Sequence, residues 1–598
     1  GVATRFSTVK WQVAFRASYR DLFDPVDICV GVRVTSPSGR NLEVPGFFAG
    51  LCRLPESAFR EAEAAAPRPA WGPFKSSGKK DGKNDAGKTG ARAAASGVVD
   101  PEAGQESRNP EDSSGKLPED VLPAWTVLFT PQETGRYTLQ PYIRNRVGET
   151  RTPERSLVVG PEASAAAEPG RRGGQMRVSR IDPRHFELQD GTPFFIVGQN
   201  VCWTTDWNPY LERMKGYGAN ACRIWLCPWG LNLERQTAPG TYDLQEAERL
   251  DALLAKAEAT GVRIILCLTF HGMNADEWHR SPYNQANGGP CARPQEFFTD
   301  GQAKRQFKRL LTYAAARWGA SPALLCWELM NELDLARYDH PDDAGHWARE
   351  MAGHLKRVDA HGHPVTVSVS NTSFQPELWE DNRIDFISVH AYGTEVGPLL
   401  ARSLGPFLLA NKPVLLGEFG GGWEAADDIP DRDGARLQAA LWLTACSPYG
   451  GLALPWWWDT YIEARGLYPV LSAAARFTAG EDRRGRYREQ VRKDLGNGAE
   501  VWGAMDVCGG RFYVHRPGWV RHPESRGPRL LSVPVPLELR GLMDGAYRID
   551  YWDARTGHAF AAQDGTASDG VLRLELPAHA AEFGVKVERR ERPRLELR

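Results

Sequence analysis

The chain is 598 residues long and 42% hydrophobic, which predicts about three or four domains with cores of their own. Lys and Arg number 73 against 75 Asp and Glu, so the net charge of -2 leaves no basic excess for binding a nucleic-acid backbone. Because no apolar run approaches the roughly 20 residues that cross a bilayer, we expect no membrane span.

The first part of the chain alternates apolar and polar residues, as β-strands do. Such runs lie at 9–15, 28–34, 125–129 and 137–142. Between about 60 and 120 the chain is dominated by Ala, Lys, Gly, Ser, Pro and Asp, which cannot bury enough apolar surface to fold. We therefore predict an N-terminal β-sandwich over 1–160 with a disordered insertion at about 60–120, followed by a linker over 161–175.

One run inside the predicted insertion, residues 82–89, matches the letters of a phosphate-binding loop. That loop works only between a buried strand and a helix. Neither flank of this run has an apolar face. We interpret it as a chance match in a tract rich in Gly and Lys, and we predict no nucleotide site.

From residue 186 onward, strand-like runs alternate with segments of helical period, after a predicted hairpin around Asp190 and Gly191. The candidate strands are 194–200, 221–228, 262–270, 324–332, 364–369, 386–391, 413–418 and 452–458. Apolar residues at helical spacing lie at 250–257, 307–318, 347–358 and 435–444. Because eight parallel strands close a barrel, we predict a (β/α)8 TIM barrel over 176–480.

Strand and turn patterns return after about residue 500, at 511–514, 547–552 and 571–576. They predict a second β-sandwich over 481–598. The predicted fold class is therefore multidomain, with a central (β/α)8 barrel between two all-β sandwich domains.

Two glutamates occupy the positions at which this barrel type places its chemistry. Glu332 ends the fourth predicted strand in Trp-Glu-Leu-Met-Asn-Glu, and Glu418 ends the seventh in Leu-Leu-Gly-Glu-Phe-Gly. Because the strands run out at one face of the barrel, the two carboxyl groups can meet there. Cleavage of a glycosidic bond with retention needs such a pair about 5 Å apart, one as acid and one as nucleophile. The alternative is a pair of strand-end glutamates in structural salt bridges.

The stretch around these glutamates resembles the clan A glycoside hydrolases, and family 5 most closely, where strand four ends in Asn-Glu and strand seven in Glu. The likeness covers about 176–480 and includes 211–224, which looks like that family's first helix and second strand. The resemblance implies that Glu332 is the acid/base, Glu418 the nucleophile and Asn331 the partner of the sugar 2-hydroxyl. The flanking domains resemble the immunoglobulin-like module and the closing β-sandwich of related polysaccharide-degrading enzymes.

Further positions match the family strand by strand. Arg223 on strand two resembles the arginine that keeps the nucleophile ionised, since a nearby cation lowers the pKa of a carboxyl group. A salt bridge from Arg223 to Glu328 is the alternative, and the two contacts are compatible. His271 after strand three and His390 on strand six look like sugar-contacting histidines, with purely structural roles as the alternative. Tyr392 shares a face with His390 and would steady the nucleophile, unless it only packs in the core.

Aromatic residues and one asparagine complete the predicted substrate-binding set. Strand eight contains Pro-Trp-Trp-Trp-Asp, and strand alternation aims Trp456 and Trp458 the same way while Trp457 packs outward against helices. The resemblance implies that this stretch supplies the aromatic floor under the cleaved sugar. Asn200 and Trp203, at the end of strand one, are expected to line the pocket.

The sequence contains no metal-ligand spacing such as His-Glu-x-x-His and no Gly-x-Ser-x-Gly elbow. We expect neither a metal nor an organic cofactor. The ten cysteines are scattered without a Cys-x-x-Cys pair, and we interpret those in predicted core strands as small buried hydrophobes: Cys202, Cys222, Cys267 and Cys326.

The sequence therefore predicts a retaining glycoside hydrolase that cleaves β-linked glycans, such as β-glucan or β-mannan, by double displacement. One alternative is a non-catalytic glycan-binding protein on a barrel scaffold, and another is an exo-acting β-glycosidase of the β-galactosidase type. The expected partner is a carbohydrate, and the oligomeric state is not predicted. We expect a secreted or periplasmic protein whose signal has been removed, with a cytoplasmic location as the alternative because unpaired cysteines suit a reducing compartment.

Overall fold

The computed structural model describes residues 1–14, 19–53, 121–162, 168–393, 405–421, 431, 433–496, 498–521 and 529–591. The predicted insertion at about 60–120, including the run 82–89, lies outside these residues. Along the described chain, a mostly antiparallel sheet is followed by a region of parallel strands and helices, and then by a second antiparallel sheet.

The N-terminal strands agree with the predicted runs of alternating residues. They are β1 Val2–Thr4, β2 Val9–Ala14, β3 Ile28–Thr35, β4 Asn41–Arg53, β5 Val121–Phe129, β6 Gly135–Asn145, β7 Gly148–Arg151 and β8 Arg155–Gly160. Their order is β1-β8-β6-β3-β4-β5-β2, with β7 paired to β6. The long strand β4 pairs with β3 through its first residues and with β5 through its last, across a register shift between Phe48 and Gly50.

The N-terminal sheet packs directly on the central region. The ring of Phe47 meets the ring of Tyr313 edge-on, with centroids 6.1 Å apart. The backbone N–H of Thr130 donates to Nε2 of His361 at 3.0 Å. Buried aromatic and hydrogen-bonded contacts of this kind fix the sheet against the outer surface of the central helices.

The central region begins with a small antiparallel sheet and continues with parallel strands. The antiparallel strands are β9 Met176–Val178, β10 Phe186–Leu188 and β11 Pro193–Phe194, and Gly191 has the positive φ of 96° that the predicted hairpin turn requires. The parallel strands are β12 Gly198–Asn200, β13 Ala221–Trp225, β14 Arg263–Cys267, β15 Leu324–Glu328, β16 Val365–Thr366, β17 Ser368–Val369, β18 Ile387–Tyr392 and β19 Val414–Gly420. They pair in the two paths β12-β13-β14-β15-β16 and β17-β18-β19.

The last predicted strand of the central region, 452–458, differs from expectation. This segment and the residue before it form isolated parallel bridges, from Gly451 to Ile196 and from Pro455 to Phe419, and not a regular strand. Its backbone therefore hydrogen-bonds towards both the first and the seventh strand positions, as the eighth strand of a barrel does. Closure into eight regular strands stays a prediction.

Amphipathic helices connect the parallel strands. They include α1 Asn208–Gly216, α2 Leu244–Thr260, α3 Glu296–Thr299, α4 Gly301–Trp318, α5 Pro341–Val358, α6 Pro376–Trp379, α7 Ala435–Ala445 and α8 Tyr468–Thr478. The four predicted helices are confirmed, although α2, α4 and α5 begin six residues earlier than the apolar spacing indicated. Their first turns are mostly polar, and each buries only a small alanine there, Ala247, Ala303 or Ala344. In α2, for example, the Asp243 side chain caps the backbone N–H groups of Gln245 and Glu246.

The C-terminal sheet is antiparallel throughout. Its strands are β20 Glu489–Gly496, β21 Ala499–Asp506, β22 Gly509–His515, β23 Val535–Arg540, β24 Gly545–Asp553, β25 Ala559–Ser568, β26 Val571–Leu576 and β27 Phe583–Arg589. Their order is β20-β21-β22-β27-β24-β25-β26-β23. A central βα region with β-sheets before and after it is therefore confirmed, whereas the two-layer sandwich form of each sheet and the domain boundaries stay predictions.

Two predictions about classes of residue can be compared with the structure. The side chains of Cys202, Cys222, Cys267 and Cys326 are completely buried, as expected for small hydrophobes in core strands. Among the helices of the described residues, none combines the length and the apolar character that a membrane crossing needs.

Trp442 on α7 joins the central region to the C-terminal sheet and is fully buried. Its indole stacks on Tyr513, with ring centroids 5.7 Å apart, and its Nε1 donates to the Ala554 carbonyl at 3.1 Å. We expect Trp442→Ala to lower the free energy of unfolding by about 3–5 kcal/mol, because it leaves a large cavity and an unpaired carbonyl. Urea unfolding followed by tryptophan fluorescence and circular dichroism measures this loss.

The matched control for this prediction is Trp229→Ala, since the Trp229 side chain is 40% exposed. Removing an indole at a partly exposed position should shift the unfolding midpoint much less. An unchanged midpoint for Trp442→Ala would contradict the proposed role of this contact between the two regions.

Candidate active site

Strand pairing brings the predicted site residues to one end of the parallel strands. Asn200 on β12 is the register partner of Arg223 on β13. His390 on β18 is the register partner of Glu418 on β19, after a shift in register at this point. Because all four residues lie at or near the carboxyl ends of their strands, they face the region in which parallel βα folds carry their sites.

Glu332 lies four residues beyond the end of β15, in a turn, and not at the end of the strand as predicted. Its backbone has φ 48° and ψ 59°, the left-handed conformation that is uncommon for a residue other than glycine. The backbone N–H of Glu332 donates to Oγ of Ser368 at 3.0 Å. This turn stores strain of about 1–3 kcal/mol and directs the Glu332 side chain back over the strand ends.

The carboxyl groups of Glu332 and Glu418 lie in the same small cluster with His390. One oxygen of each carboxyl group and one ring nitrogen of His390 lie within 4.8 Å of one another. Nδ1 of His390 is 2.9 Å from Oε1 of Glu332 and 3.4 Å from Oε2 of Glu418. The two carboxyl groups are therefore close enough to act on the two sides of a single bond.

Glu418 is held by two hydrogen-bond donors. Nη1 of Arg223 donates to Oε1 of Glu418 at 2.6 Å, and the Tyr392 hydroxyl donates to Oε2 at 2.6 Å. Both donors favour the ionised carboxylate and fix its orientation. Glu332 has no arginine contact within the described residues, and its side chain is 12% exposed against 3% for Glu418.

Burial shifts the pKa of each group in the cluster so that its neutral form is favoured. Burial raises the pKa of Glu332 above its usual value, and His271 opposes that shift. Burial also raises the pKa of Glu418, although His390 and Arg223 pull it down. Burial lowers the pKa of His390, which is otherwise favoured as a cation by Glu418. Arg223 thus stabilises the charge on Glu418 as expected, but its effect is smaller than the cost of desolvation.

Arg223 makes the salt bridge to Glu328 as well as the contact with Glu418. Nε of Arg223 donates to Oε2 of Glu328 at 2.6 Å, and Nη2 donates to Oε1 at 2.7 Å. Nη2 also donates to Oδ1 of Asn331 at 2.7 Å. The two interpretations of Arg223 that the sequence left open are therefore both present in the structure.

Asn331 and His271 face the carboxyl cluster with free polar atoms. Nδ2 of Asn331 is buried and has no hydrogen-bond partner among the described residues, while its Oδ1 is occupied. Nδ1 of His271 is 3.4 Å from Oε2 of Glu332, and the His271 side chain is 27% exposed. A free amide donor beside two carboxyl groups suits a ligand hydroxyl. The binding roles of both residues stay predictions.

Asn200 is placed differently from our expectation that it lines the pocket. Its Nδ2 donates to the carbonyls of Gly417, Leu454 and Pro455 at 3.0–3.2 Å. Its Oδ1 accepts from Nη1 of Arg223 at 3.1 Å. Asn200 is completely buried, so it ties together the strands beneath the site and orients Arg223, and the assignment of direct substrate contact is wrong.

Trp456 and Trp458 belong to one aromatic cluster with Trp203. The ring centroid of Trp203 is 5.6 Å from that of Trp456 and 4.8 Å from that of Trp458. Strand alternation does not explain this arrangement, because Trp457 has φ 56° and a π-helical turn begins at Trp458. Trp457, which we expected to pack outward against helices, is partly exposed. A stacking role for Trp456, Trp458 and Trp203 stays a prediction.

Sequence reasoning missed two residues beside the cluster, Ser368 and Asp334. Ser368 on β17 donates to Oε1 of Glu328 at 2.7 Å and accepts from the Glu332 backbone. Asp334, in the turn after β15, binds the segment after β17 by accepting from the backbone N–H and the hydroxyl of Ser370. Trp229 joins the aromatic cluster edge-on to Trp203 at 5.8 Å. Position after a strand was the available signal for Asp334, but it does not separate Asp334 from ordinary loop residues.

Glu332, His390 and Glu418 are also, among the described residues, a group with ligand atoms close enough for a metal ion. Their acceptor atoms already receive hydrogen bonds from Arg223 and Tyr392, or face the shared His390 nitrogen. An arginine in direct contact with a ligand carboxylate opposes a bound cation. The donor set therefore fits proton transfer better than metal binding.

Comparison with known proteins gives a consistent result. Residues 188–460 match the family model described as cellulase (glycosyl hydrolase family 5). Mannan endo-1,4-beta-mannosidase 1 of Solanum lycopersicum is 28% identical over 254 residues, which cover 36% of this chain and 62% of that protein. Mannan endo-1,4-beta-mannosidase 2 of Oryza sativa subsp. japonica is 29% identical over 247 residues, covering 34% of this chain and 55% of that protein.

The chain thus spans somewhat more than half the length of these two relatives. A solved structure from Bacteroides vulgatus ATCC 8482, described as a candidate glycoside hydrolase, superposes with a TM-score of 0.60 at 11% identity. It covers 98% of this chain and 99% of that one, so the fold is shared along nearly the whole length. The matched segment contains Glu332 and Glu418, so both predicted catalytic glutamates lie in the part of the chain that is similar to glycosyl hydrolase family 5.

Proposed function

We propose that this chain hydrolyses β-1,4-linked polysaccharides, with β-mannan as the first substrate class, and retains the configuration at the cleaved carbon. The observation that carries the proposal is the pair Glu332 and Glu418, with carboxyl oxygens within 4.8 Å of one another. Retaining enzymes hold their two carboxyl groups about 5–5.5 Å apart, whereas inverting enzymes leave room for a water between them. The named relatives are mannosidases, which favours mannan over glucan as the first choice.

In the proposed first step, a Glu418 oxygen attacks the anomeric carbon while the bond from that carbon to the leaving oxygen breaks. Glu332 transfers its proton to the leaving oxygen. Arg223 and Tyr392 support this step because their hydrogen bonds favour the ionised form of Glu418 and orient it. Burial of Glu332 supports it as well, since it raises the pKa of this carboxyl group and so favours the protonated acid.

In the proposed second step, water attacks the same carbon and the bond to Glu418 breaks. Glu332 now takes a proton from the water, so both carboxyl groups return to their starting states. The unpaired Nδ2 of Asn331 supports a contact with a sugar hydroxyl next to the reacting carbon. Two displacements at one carbon leave the product with the β configuration of the substrate.

The test is the stereochemistry of the first product. The full chain is incubated with β-1,4-mannan and, separately, with a β-1,4-glucan, and the new reducing ends are followed by proton NMR from the first minutes. We expect the β-anomer to form first from mannan, with the α-anomer growing in only as mutarotation proceeds. Early α-anomer would rule out the retaining mechanism. Binding of both polysaccharides without release of sugar would favour a non-catalytic glycan-binding protein.

A further inference from the structure

Glu328 is a buried carboxylate that the proposed reaction does not use. It lies at the end of β15, and both it and Arg223 are 1% exposed. Both of its oxygens accept from Arg223, at 2.6 and 2.7 Å, and Oε1 also accepts from Oγ of Ser368 at 2.7 Å. Glu328 therefore takes the two-point contact of the guanidinium, and Glu418 receives the remaining Nη1 donor at 2.6 Å.

The charge balance of this cluster is unusual for a purely structural ion pair. Arg223 is one cation, and Glu328 and Glu418 are two carboxylates that share it. Removing charges from water is costly, and a neutral residue of similar shape often supports a fold as well as a buried ion pair does. A second buried carboxylate on the same arginine therefore adds an electrostatic cost that packing does not require.

Glu328 is also linked to each member of the carboxyl pair through one intervening residue. One path runs through Arg223 to Glu418. The other runs through Ser368, whose hydroxyl donates to Glu328 and accepts from the backbone N–H of Glu332. A charge at Glu328 is thus felt on both sides of the bond that the pair would cleave.

The other titratable groups around Glu328 come from each neighbouring strand. They are Cys202 beyond β12, Arg223 on β13, Cys267 on β14, Cys326 on β15, Glu332 and Asp334 in the turn after β15, His390 on β18 and Glu418 on β19. Burial raises the pKa of the Cys202, Cys267 and Cys326 thiols well above 9.0, so they stay neutral. Burial works against ionisation of Glu328, but Arg223 holds its pKa below the usual value.

We propose that Glu328 is a positioning residue that sets the pH range of activity by sharing Arg223 with Glu418. The inference rests on the proposed hydrolytic function. Glu328 neutralises part of the positive field of Arg223, so Glu418 and Glu332 both hold their protons to higher pH than Arg223 alone would allow. The pair is thereby tuned for work closer to neutrality.

The direction of the effect of Glu328→Gln follows from the loss of one negative charge. With Glu328 neutral, the full charge of Arg223 lowers the pKa of Glu418, which must be ionised to attack. The acid limb of the activity profile then moves to lower pH. The pKa of Glu332 falls as well, since a negative neighbour is lost, and the basic limb moves the same way because Glu332 must be protonated.

The experiment compares pH profiles of kcat/KM on β-1,4-mannan for the wild type, Glu328→Gln and Glu328→Asp. We expect both limbs of the pH profile of the Gln variant to move to lower pH by about 1–2 units. The reason is that a charge separated from the carboxyl pair by a single buried side chain acts through a low effective dielectric. The Asp variant keeps the charge, so its limbs should stay in place even where its peak rate falls. Glu212→Gln, at an exposed ion pair with Lys256, is the matched control and should leave the profile unchanged.

The outcomes separate this inference from the proposed function. If the wild type hydrolyses mannan but the limbs of the pH profile do not move in Glu328→Gln, the inference about Glu328 is overturned and the proposed function stands. Equal movement in the Gln and Asp variants would also overturn it, since a structural disturbance and not charge would then be the cause. No hydrolysis by the folded wild type would overturn both. If Glu328→Gln does not fold, Glu328→Met, which also removes the charge, carries the same expected shift.

Discussion

Glu418→Ala is expected to lower kcat on β-1,4-mannan by about 10⁴-fold or more, since the group that attacks the anomeric carbon is lost. Because the first bond to carbon is no longer formed, KM should change far less than kcat. Initial rates of reducing-end release, with circular dichroism to verify folding, measure the effect. The loss should exceed what a change in binding alone would give. Glu418 is almost completely buried and its two oxygens are held by protein groups, so it adds little to the binding of substrate.

A small anion provides a sharper test of the same residue. Azide added to Glu418→Ala fits the space that the carboxylate leaves, and it attacks an activated aryl β-mannobioside from that side. The expected product is an α-glycosyl azide, because one displacement inverts the configuration. Undiminished turnover of mannan by the variant, or a β-configured azide product, would show that Glu418 is not the nucleophile.

Glu332→Ala is expected to show a loss that depends on the leaving group. On mannan, where the leaving hydroxyl is a poor leaving group, kcat/KM should fall by about 10²–10⁴-fold, the usual contribution of a general acid. On an aryl β-mannobioside with an acidic phenol, which needs no proton to depart, the formation of the glycosyl-enzyme should be nearly unaffected. The basic limb of the pH profile should disappear, since that limb reports the protonated form of Glu332.

The control for Glu332→Ala is Asp334→Asn. Asp334 lies in the same turn and holds Ser370 and Asn371, but its carboxyl group makes no hydrogen bond with the carboxyl pair. Its loss disturbs the turn without removing the acid, so poor and good leaving groups should be affected alike. A Glu332→Ala variant with equal losses on both substrates would contradict the assignment of Glu332 as acid/base.

Much of the site could be predicted because it depends on residue type and strand position. Asn331, Glu332 and Glu418 follow apolar runs of strand length, and parallel strands bring such positions to one face. The roles of Arg223 and Tyr392 were implied by the family resemblance, and both residues contact Glu418 in the structure. The carboxyl pair is therefore a consequence of local patterns repeated around a parallel sheet.

Other features of the site could not be predicted because they depend on contacts between distant segments. Asn200 looks like a pocket residue by position, yet its amide donates to three carbonyls, that of Gly417 on β19 and those of Leu454 and Pro455 in the segment 452–458. Trp457 lies in a run with strand spacing, but its left-handed backbone and the π-helical turn after it break the alternation. Ser368 carries no local signal for its place between Glu328 and Glu332.

The sequence by itself determined the order of the three regions, the helices and strands of the central one, and the identity of the two glutamates, because hydrophobic period and strand-end position are local properties. Only the tertiary structure decided how one arginine is divided between Glu328 and Glu418, and how Glu332 turns back over the strands. Those outcomes depend on register between strands that are about 100–200 residues apart along the chain. In a buried site, differences of a few ångströms between charged groups decide which carboxyl group carries charge.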